Sequence, residues 1–388
     1  MNKRFQAIFW IGQALLYIAI LILGLENGLR FYSSLDQHLL RAPELTHEQE
    51  ADITLMMADL KKSPQFKWTH ALLGSHLTRN DADWTQDYNS TFAQLQERIV
   101  YQQDSELMTR RSLSRTLDGK TIFDVHYTFD RQFRRKVPEP PNPKTSNIVL
   151  SGCSFTFGIG LNDRDTIQFH LAQRRPQTKI HNLGLGGSAI NQQLQILDLF
   201  PERAKIPKKK KSIAVYLYID HQLNRIACGR ECLAGDNAWM MNLPRYVLKG
   251  DKVEFTGLFS QHFPWSNDWI KNFKQFEILG LWPGVMEAND QSTYKLFARL
   301  IKEYERRLKD DAGISELIVM NVFSSTDAFE HVQRELGKQG IRSVDLTYAD
   351  MGRLIGRQWS IPVDGHPAPP TAFNMAWLID RHLKKLGL

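Results

Sequence analysis

Two distant segments carry residue types that could perform nucleophilic chemistry together. The first, Asn147-Ile148-Val149-Leu150-Ser151-Gly152-Cys153-Ser154-Phe155-Thr156-Phe157-Gly158, ends a β-branched apolar run on a glycine and then presents Ser154 in a small-residue turn ahead of an expected helix. The second, Pro362-Val363-Asp364-Gly365-His366-Pro367, sets a carboxylate two positions before a histidine. A serine hydroxyl is a poor nucleophile near neutral pH and needs a base that takes its proton as it attacks. Histidine suits that task because its ordinary pKa lies near neutrality. A carboxylate then orients the imidazole and stabilises the imidazolium. Ser154, His366 and Asp364 supply the three types. The same spacing also admits Asp364 as a cap on its own turn, with a backbone carbonyl orienting His366.

Acyl transfer further requires donors aimed at a developing oxyanion, and glycine lets backbone N–H groups approach a ligand closely. His181-Asn182-Leu183-Gly184-Leu185-Gly186-Gly187-Ser188 holds three glycines in four residues after a strand-like run. It is equally a plain strand-to-helix turn, and no phosphate-loop lysine follows it. Leu217-Tyr218-Ile219-Asp220-His221-Gln222-Leu223-Asn224-Arg225 follows another apolar run; Asp220, His221 and Asn224 there fit either a polar donor at a site or a helix N-terminus. Cys153 points away from its neighbour Ser154 in a strand-to-turn context, which favours a buried structural thiol. Cys228 and Cys232 lie close enough for a local disulfide in an oxidising compartment. No H-E-x-x-H or paired Cys/His spacing appears among the twelve histidines and three cysteines, so neither a metal nor another cofactor is expected.

The elements that must position these residues follow from periodicity. Segments near 147–151, 179–183, 212–219, 316–322 and 341–346 read as strands, each followed by a helix or a long loop. Ile213-Ala214-Val215-Tyr216-Leu217-Tyr218-Ile219 is apolar throughout, as a strand buried on both faces must be. Alternation of this kind predicts an α/β fold, a parallel five-stranded sheet between two helical layers. Ligands of such sheets sit beyond the carboxyl ends of the strands, where Ser154 lies. The Pro-rich stretch 137–144 cannot form regular structure and marks a linker before the main domain, placed at 146–388. Ahead of it, residues 31–145 read as a mostly helical arm: Thr46-His47-Glu48-Gln49 is a capped helix start, 92–108 has helical spacing, and 121–129 alternates as a strand or hairpin. His126, in that run, reads as a surface or structural histidine. An insertion at 228–290 contains Trp239, Phe263, Trp265, Trp269 and Trp282 and a hairpin at 245–255; its aromatics could form a lid or sugar-stacking wall, or pack its own small core.

Composition bounds the classes. A chain of 388 residues with 42% hydrophobic and 23% charged content is ordinary for a globular main domain with appendages. The formal charge of +7 is spread along the chain apart from Lys208-Lys209-Lys210-Lys211, which reads as a solvated loop, and no nucleic-acid motif is present. Residues 5–25 form an uncharged apolar stretch, roughly 31 Å long as a helix and so able to span a bilayer. No small-residue cleavage site follows, so an uncleaved anchor is expected at residues 1–30. Lys3 and Arg4 before the span set the N-terminus in the cytoplasm and the rest in the periplasm or exterior, anchored to the inner membrane by one pass.

With these motifs in order, the chain resembles the SGNH hydrolase superfamily, also called GDSL-type esterases. The first block resembles Gly152-Cys153-Ser154-Phe155-Thr156-Phe157-Gly158, with Cys153 where aspartate is usual; the second resembles Asn182-Leu183-Gly184-Leu185-Gly186-Gly187; the last resembles Asp364-Gly365-His366-Pro367, one residue tighter than the common spacing. The resemblance implies a three-layer, flavodoxin-like fold over 147–388, a Ser154–His366–Asp364 triad, and oxyanion donors at Ser154, Gly187 and a third-block amide. That block departs from the family's Gly-x-Asn-Asp turn; Asn224 could supply the amide, or Asp220 or His221 could take the position. The expected activity is an esterase or O-acyltransferase acting on ester-linked acyl groups, acetyl above all, of envelope carbohydrate. Lipid esters or thioesters are the alternative substrates, and a catalytically silent glycan-binding or assembly protein is the alternative class.

Overall fold

The structure is a computed structural model that describes residues 46–62, 108–115, 121–209, 211–228, 240–262, 290–323, 326–349, 351–362 and 364–388. The expected membrane span, the helical spacing at 92–107 and the five aromatics of the insertion lie outside them. Among the described residues no helix is long and apolar enough to cross a membrane. The chain divides into two compact units, Met1–Glu50 and Ala51–Leu388. In the first, Thr46 Oγ1 accepts from Gln49 N (3.2 Å) while Thr46 N donates to Gln49 Oε1 (2.9 Å), the reciprocal cap foreseen from Thr-His-Glu-Gln.

Among its described residues the second unit has ten strands: β1 Met108–Arg115, β2 Thr121–Phe129, β3 Arg135–Lys136, β4 Ser146–Gly152, β5 Thr178–Asn182, β6 Lys211–Tyr218, β7 Pro244–Lys249, β8 Lys252–Leu258, β9 Glu316–Asn321 and β10 Arg342–Asp345. Eight form one sheet in the order β1-β2-β3-β5-β4-β6-β9-β10. Its β5-β4-β6-β9-β10 part is parallel, the flavodoxin-like order 2-1-3-4-5. The five expected strands are these. β2 is the strand expected at 121–129. The correction is to the size of the sheet: β1, β2 and β3 extend it in antiparallel fashion to eight strands where five parallel ones were expected. Met108, expected to end a helix, opens a strand.

The helices of the described residues are ten: α1 His47–Lys62, α2 Ser154–Phe157, α3 Ile167–Arg174, α4 Ile190–Leu199, α5 His221–Ala227, α6 Phe259–His262, α7 Gln291–Ala312, α8 Thr326–Lys338, α9 Met351–Ile355 and α10 Pro369–Lys385. Side chains alternate across the sheet and split the core in two. Ala214, Tyr216 and Tyr218 of β6 face one layer with α4, α7 and α8, where Phe297, Tyr304 and Phe329 are buried. Ile213, Val215 and Leu217 face the other, with Leu171 of α3 and Met375 and Ile379 of α10. Each such burial is worth roughly 1.5–3 kcal/mol, in keeping with the apolar run Ile213–Tyr218 of β6. Residues 51–62 of α1 lie on this second side: Met56 is fully buried, Asp52 accepts from Arg381 Nε and Lys385 Nζ (both 2.9 Å), and Trp377 Nε1 donates to Asp59 (3.0 Å).

The Pro-rich stretch is irregular, and the hairpin expected at 245–255 is β7–β8, turning at Gly250-Asp251. Cys228, Met240, Met241, Leu243 and Phe259 form a separate small hydrophobic cluster. Cys228 is disulfide-bonded and Cys153 is free and fully buried. His126 is exposed, and Lys208 and Lys209 sit in a solvated loop before β6.

Candidate functional site

Ser154 opens α2 directly beyond the carboxyl end of β4 and is 4% exposed. Gly152 makes this turn possible. Its φ is +144°, and a Cβ there would lie 2.3 Å from Thr156 Oγ1 and 2.8 Å from the Leu217 carbonyl of neighbouring β6. α2 is a single turn; Gly158 ends it in a left-handed conformation, with its N–H on the Ser154 carbonyl (2.8 Å).

The glycine-rich loop after β5 crosses close over α2. A Cβ on Gly184 would lie 2.6 Å from Phe157 N, so only glycine fits. Asn182, fully buried, ties the two segments: its Nδ2 donates to Thr156 O (2.8 Å) and its Oδ1 accepts from Gly184 N (2.8 Å). Gly187 is buried at φ +55°, in a turn in which Ser188 N donates to Leu185 O (3.4 Å).

The histidine arrives from the far end of the chain. Residues 359–368 double back on themselves: Ile361 N donates to His366 O (2.7 Å), Gly365 N to Ile361 O (2.9 Å), Ala368 N to Trp359 O (3.1 Å), and Thr371 Oγ1 of α10 to Trp359 O (2.6 Å). Within this loop Asp364 Oδ1 pairs with His366 Nδ1 and also accepts from His366 N (3.3 Å). Both side chains are buried. An ionised carboxylate only accepts, so Nδ1 carries the proton toward Asp364 and Nε2 is left as the basic nitrogen. The two sequence readings of Asp364, turn cap and imidazole orienter, are thus met by one oxygen.

Aromatic packing joins loop and turn. The His366 ring lies 5.7 Å from the Phe155 ring, the residue after Ser154, and Phe155 packs against Phe323 (4.9 Å), which packs against Trp359 (5.0 Å). Phe323 follows β9, so the loops after β4 and β9 and the 359–368 loop meet at one carboxyl edge. Sequence reasoning missed this brace; the adjacency of Phe155 to Ser154 was its one visible sign.

Asp220 and Asn224 lie after β6. Asp220 precedes α5 without capping it; its carboxylate accepts from Tyr218 OH (2.9 Å). Asn224 is half-buried one turn into α5, and His221 is exposed at its start. Asp364, His366 and Phe155 are brought together at the site.

Also missed was Arg135. Its guanidinium, on the two-residue β3, is wholly buried and donates to the carbonyls of Phe157 (2.9 Å), Gly158 (2.5 Å) and Leu161 (2.5 Å) and to Asp163 (3.2 Å), with the Tyr127 ring 4.4 Å away. Burial lowers its pKa, opposed by Tyr127 and Asp163. It pins the loop that leaves α2. Among the described residues no cluster of His, Cys, Asp and Glu could hold a metal ion.

No family model and no curated protein matches the chain. Solved structures similar to it include a lipolytic protein of the G-D-S-L family from Veillonella parvula, 11% identical, with a TM-score of 0.34 over 62% of this chain and 99% of that one. The lipase/acylhydrolase from Enterococcus faecalis is 12% identical, with a TM-score of 0.32 over 62% and 96%. A carbohydrate esterase family 2 enzyme with a carbohydrate-binding domain, from Corynascus thermopiles (Myceliophthora fergusii), is 12% identical, with a TM-score of 0.32 over 70% and 71%.

Proposed function

We propose that the chain is a serine esterase or O-acyltransferase that attacks ester-linked acyl groups, acetyl above all, on envelope carbohydrate. The observation that carries this reading is the Asp364–His366 pair held against the Phe155 ring, one residue from Ser154 at the carboxyl edge of the parallel sheet. In the proposed reaction Ser154 Oγ attacks the acyl carbonyl as His366 Nε2 takes its proton. The tetrahedral oxyanion is received by the N–H groups of Ser154 and Gly187 and by the Asn224 amide. Collapse breaks the bond to the leaving alcohol, which takes the proton back from His366, and the acyl group then passes from Ser154 to water or to a sugar hydroxyl.

The envelope setting is supported by the uncharged stretch at residues 5–25, by Lys3 and Arg4 ahead of it, and by the disulfide at Cys228, which suits an oxidising compartment. A fluorophosphonate probe tests the chemistry: the full-length chain is expected to be labelled, and Ser154→Ala to abolish the label. An unlabelled wild type, or label retained in Ser154→Ala, would favour a silent binding protein. A reporter fused after Leu388 should be active only outside the cytoplasm.

A further inference from the structure

The turn that displays Ser154 and the loop that carries Gly187 converge on one atom, the Gly152 carbonyl oxygen. It accepts from Leu185 N (3.2 Å), Ser188 Oγ (2.9 Å) and Gln193 Nε2 (2.9 Å). Gln193 Nε2 also lies 3.0 Å from Ser188 Oγ, which itself sits 3.0 Å from Leu185 O, and Arg225 Nη1 donates to Ser188 O (3.0 Å). Ser188 is 1% exposed and Gln193 2%, so these polar groups reach their partners without competition from water.

Such a network is an unusual use of a helix face. α4 packs into the core through Ile190, Leu194 and Leu197, and an apolar residue at 193 would be buried at less desolvation cost. Instead the buried amide and hydroxyl supply two of three donors to a single carbonyl. That carbonyl belongs to the peptide bond leading into Cys153 and Ser154, so its orientation fixes how the Ser154 turn departs from β4. Ser188 is also the residue after Gly187, so the same hydroxyl holds the second loop at a set distance from the first.

We propose that Ser188 and Gln193 are positioning residues that latch the Gly186–Gly187 turn to the Gly152–Ser154 turn and so aim the Gly187 and Ser154 N–H groups at one point. This rests on the hydrolase reading above. It assigns these two side chains a part in transition-state stabilisation without contact with substrate. Preorganised donors are worth most where charge develops, and a displacement of about 1 Å can cost about 10²-fold in rate.

The test is p-nitrophenyl acetate hydrolysis by the full-length chain, with active serines counted by exhaustive fluorophosphonate titration. Ser188→Ala and Gln193→Met are each expected to lower kcat per titrated serine by about 10- to 100-fold, with KM nearly unchanged, the pattern of an interaction made only in the transition state. Their combined loss should fall short of the product, because both act on one carbonyl. Ser188→Thr, which keeps the hydroxyl, should recover most of the rate. If Gln193→Met does not fold, the Ser188 pair decides. A purely structural role would lower the number of titrated serines and leave turnover per serine within about twofold of wild type; that result, or collapse of both variants, overturns the proposal. A wild type that is labelled while the variants keep their turnover refutes this inference alone, whereas a wild type without label refutes the hydrolase reading with it.

Discussion

Oδ1 of Asp364 accepts from both the backbone N–H and Nδ1 of His366, so replacing the carboxylate changes the imidazole before it changes the fold. In Asp364→Asn the amide can present a donor to Nδ1, which moves the ring proton to Nε2 and removes the base. The expected loss is about 10³- to 10⁴-fold in fluorophosphonate labelling rate, with the thermal midpoint little altered. The motif Asp-Gly-His was legible in sequence, yet its two readings looked exclusive because spacing alone does not say that one oxygen serves both. Ser188 and Gln193 left no such trace. A serine after glycines and a glutamine on an amphipathic helix are expected at the surface, and only the closeness of α4 to the Gly152 carbonyl gives them a task. Cys153 shows the opposite case: pleat alternation alone places it behind Ser154, and it is fully buried there.

The element that most depends on an unforeseen residue is the loop after α2. Arg135 satisfies three of its carbonyls from β3, a strand too short to announce itself. In Arg135→Met those carbonyls lose their donors while buried, and Asp163 loses its cation. We expect a destabilisation of about 2–4 kcal/mol in urea unfolding, together with slower labelling of Ser154 as the turn loosens. The parallel strands β4, β6 and β9 were readable to within about two residues because burial on both faces demands apolar runs such as Ile148-Val149-Leu150, Ile213–Tyr218 and Leu317-Ile318-Val319-Met320. β1 was not. Its sequence, Met-Thr-Arg-Arg-Ser-Leu-Ser-Arg, pairs among the described strands with β2 alone and shows no strand period.

At the scale of the whole molecule, two buried histidines outside the site tie stability to pH. Burial, reinforced by Arg174, lowers His170 to about 4; burial, reinforced by Arg134 and Lys179, lowers His181 to about 3, both from an ordinary 6.5. The unfolded chain therefore binds more protons than the folded one below about pH 6.5. Stability is complete above that value and falls as pH drops toward 4 and then 3, by on the order of a few kcal/mol for each histidine. Urea midpoints measured across pH 7 to 4 should decline, and His170→Leu should flatten the decline. The same scale relates the 359–368 loop to the order in which the chain is made. That loop leads straight into α10, which packs on α3, and Arg175 at the end of α3 grips both Asp380 (2.8 Å) and the Leu388 carbonyl (2.8 Å). A chain leaving the ribosome exposes its Ser154 turn long before Asp364 and His366 exist beside it. On the proposed chemistry the hydroxyl stays inert throughout synthesis, and the docking of α10 is the event that switches the nucleophile on.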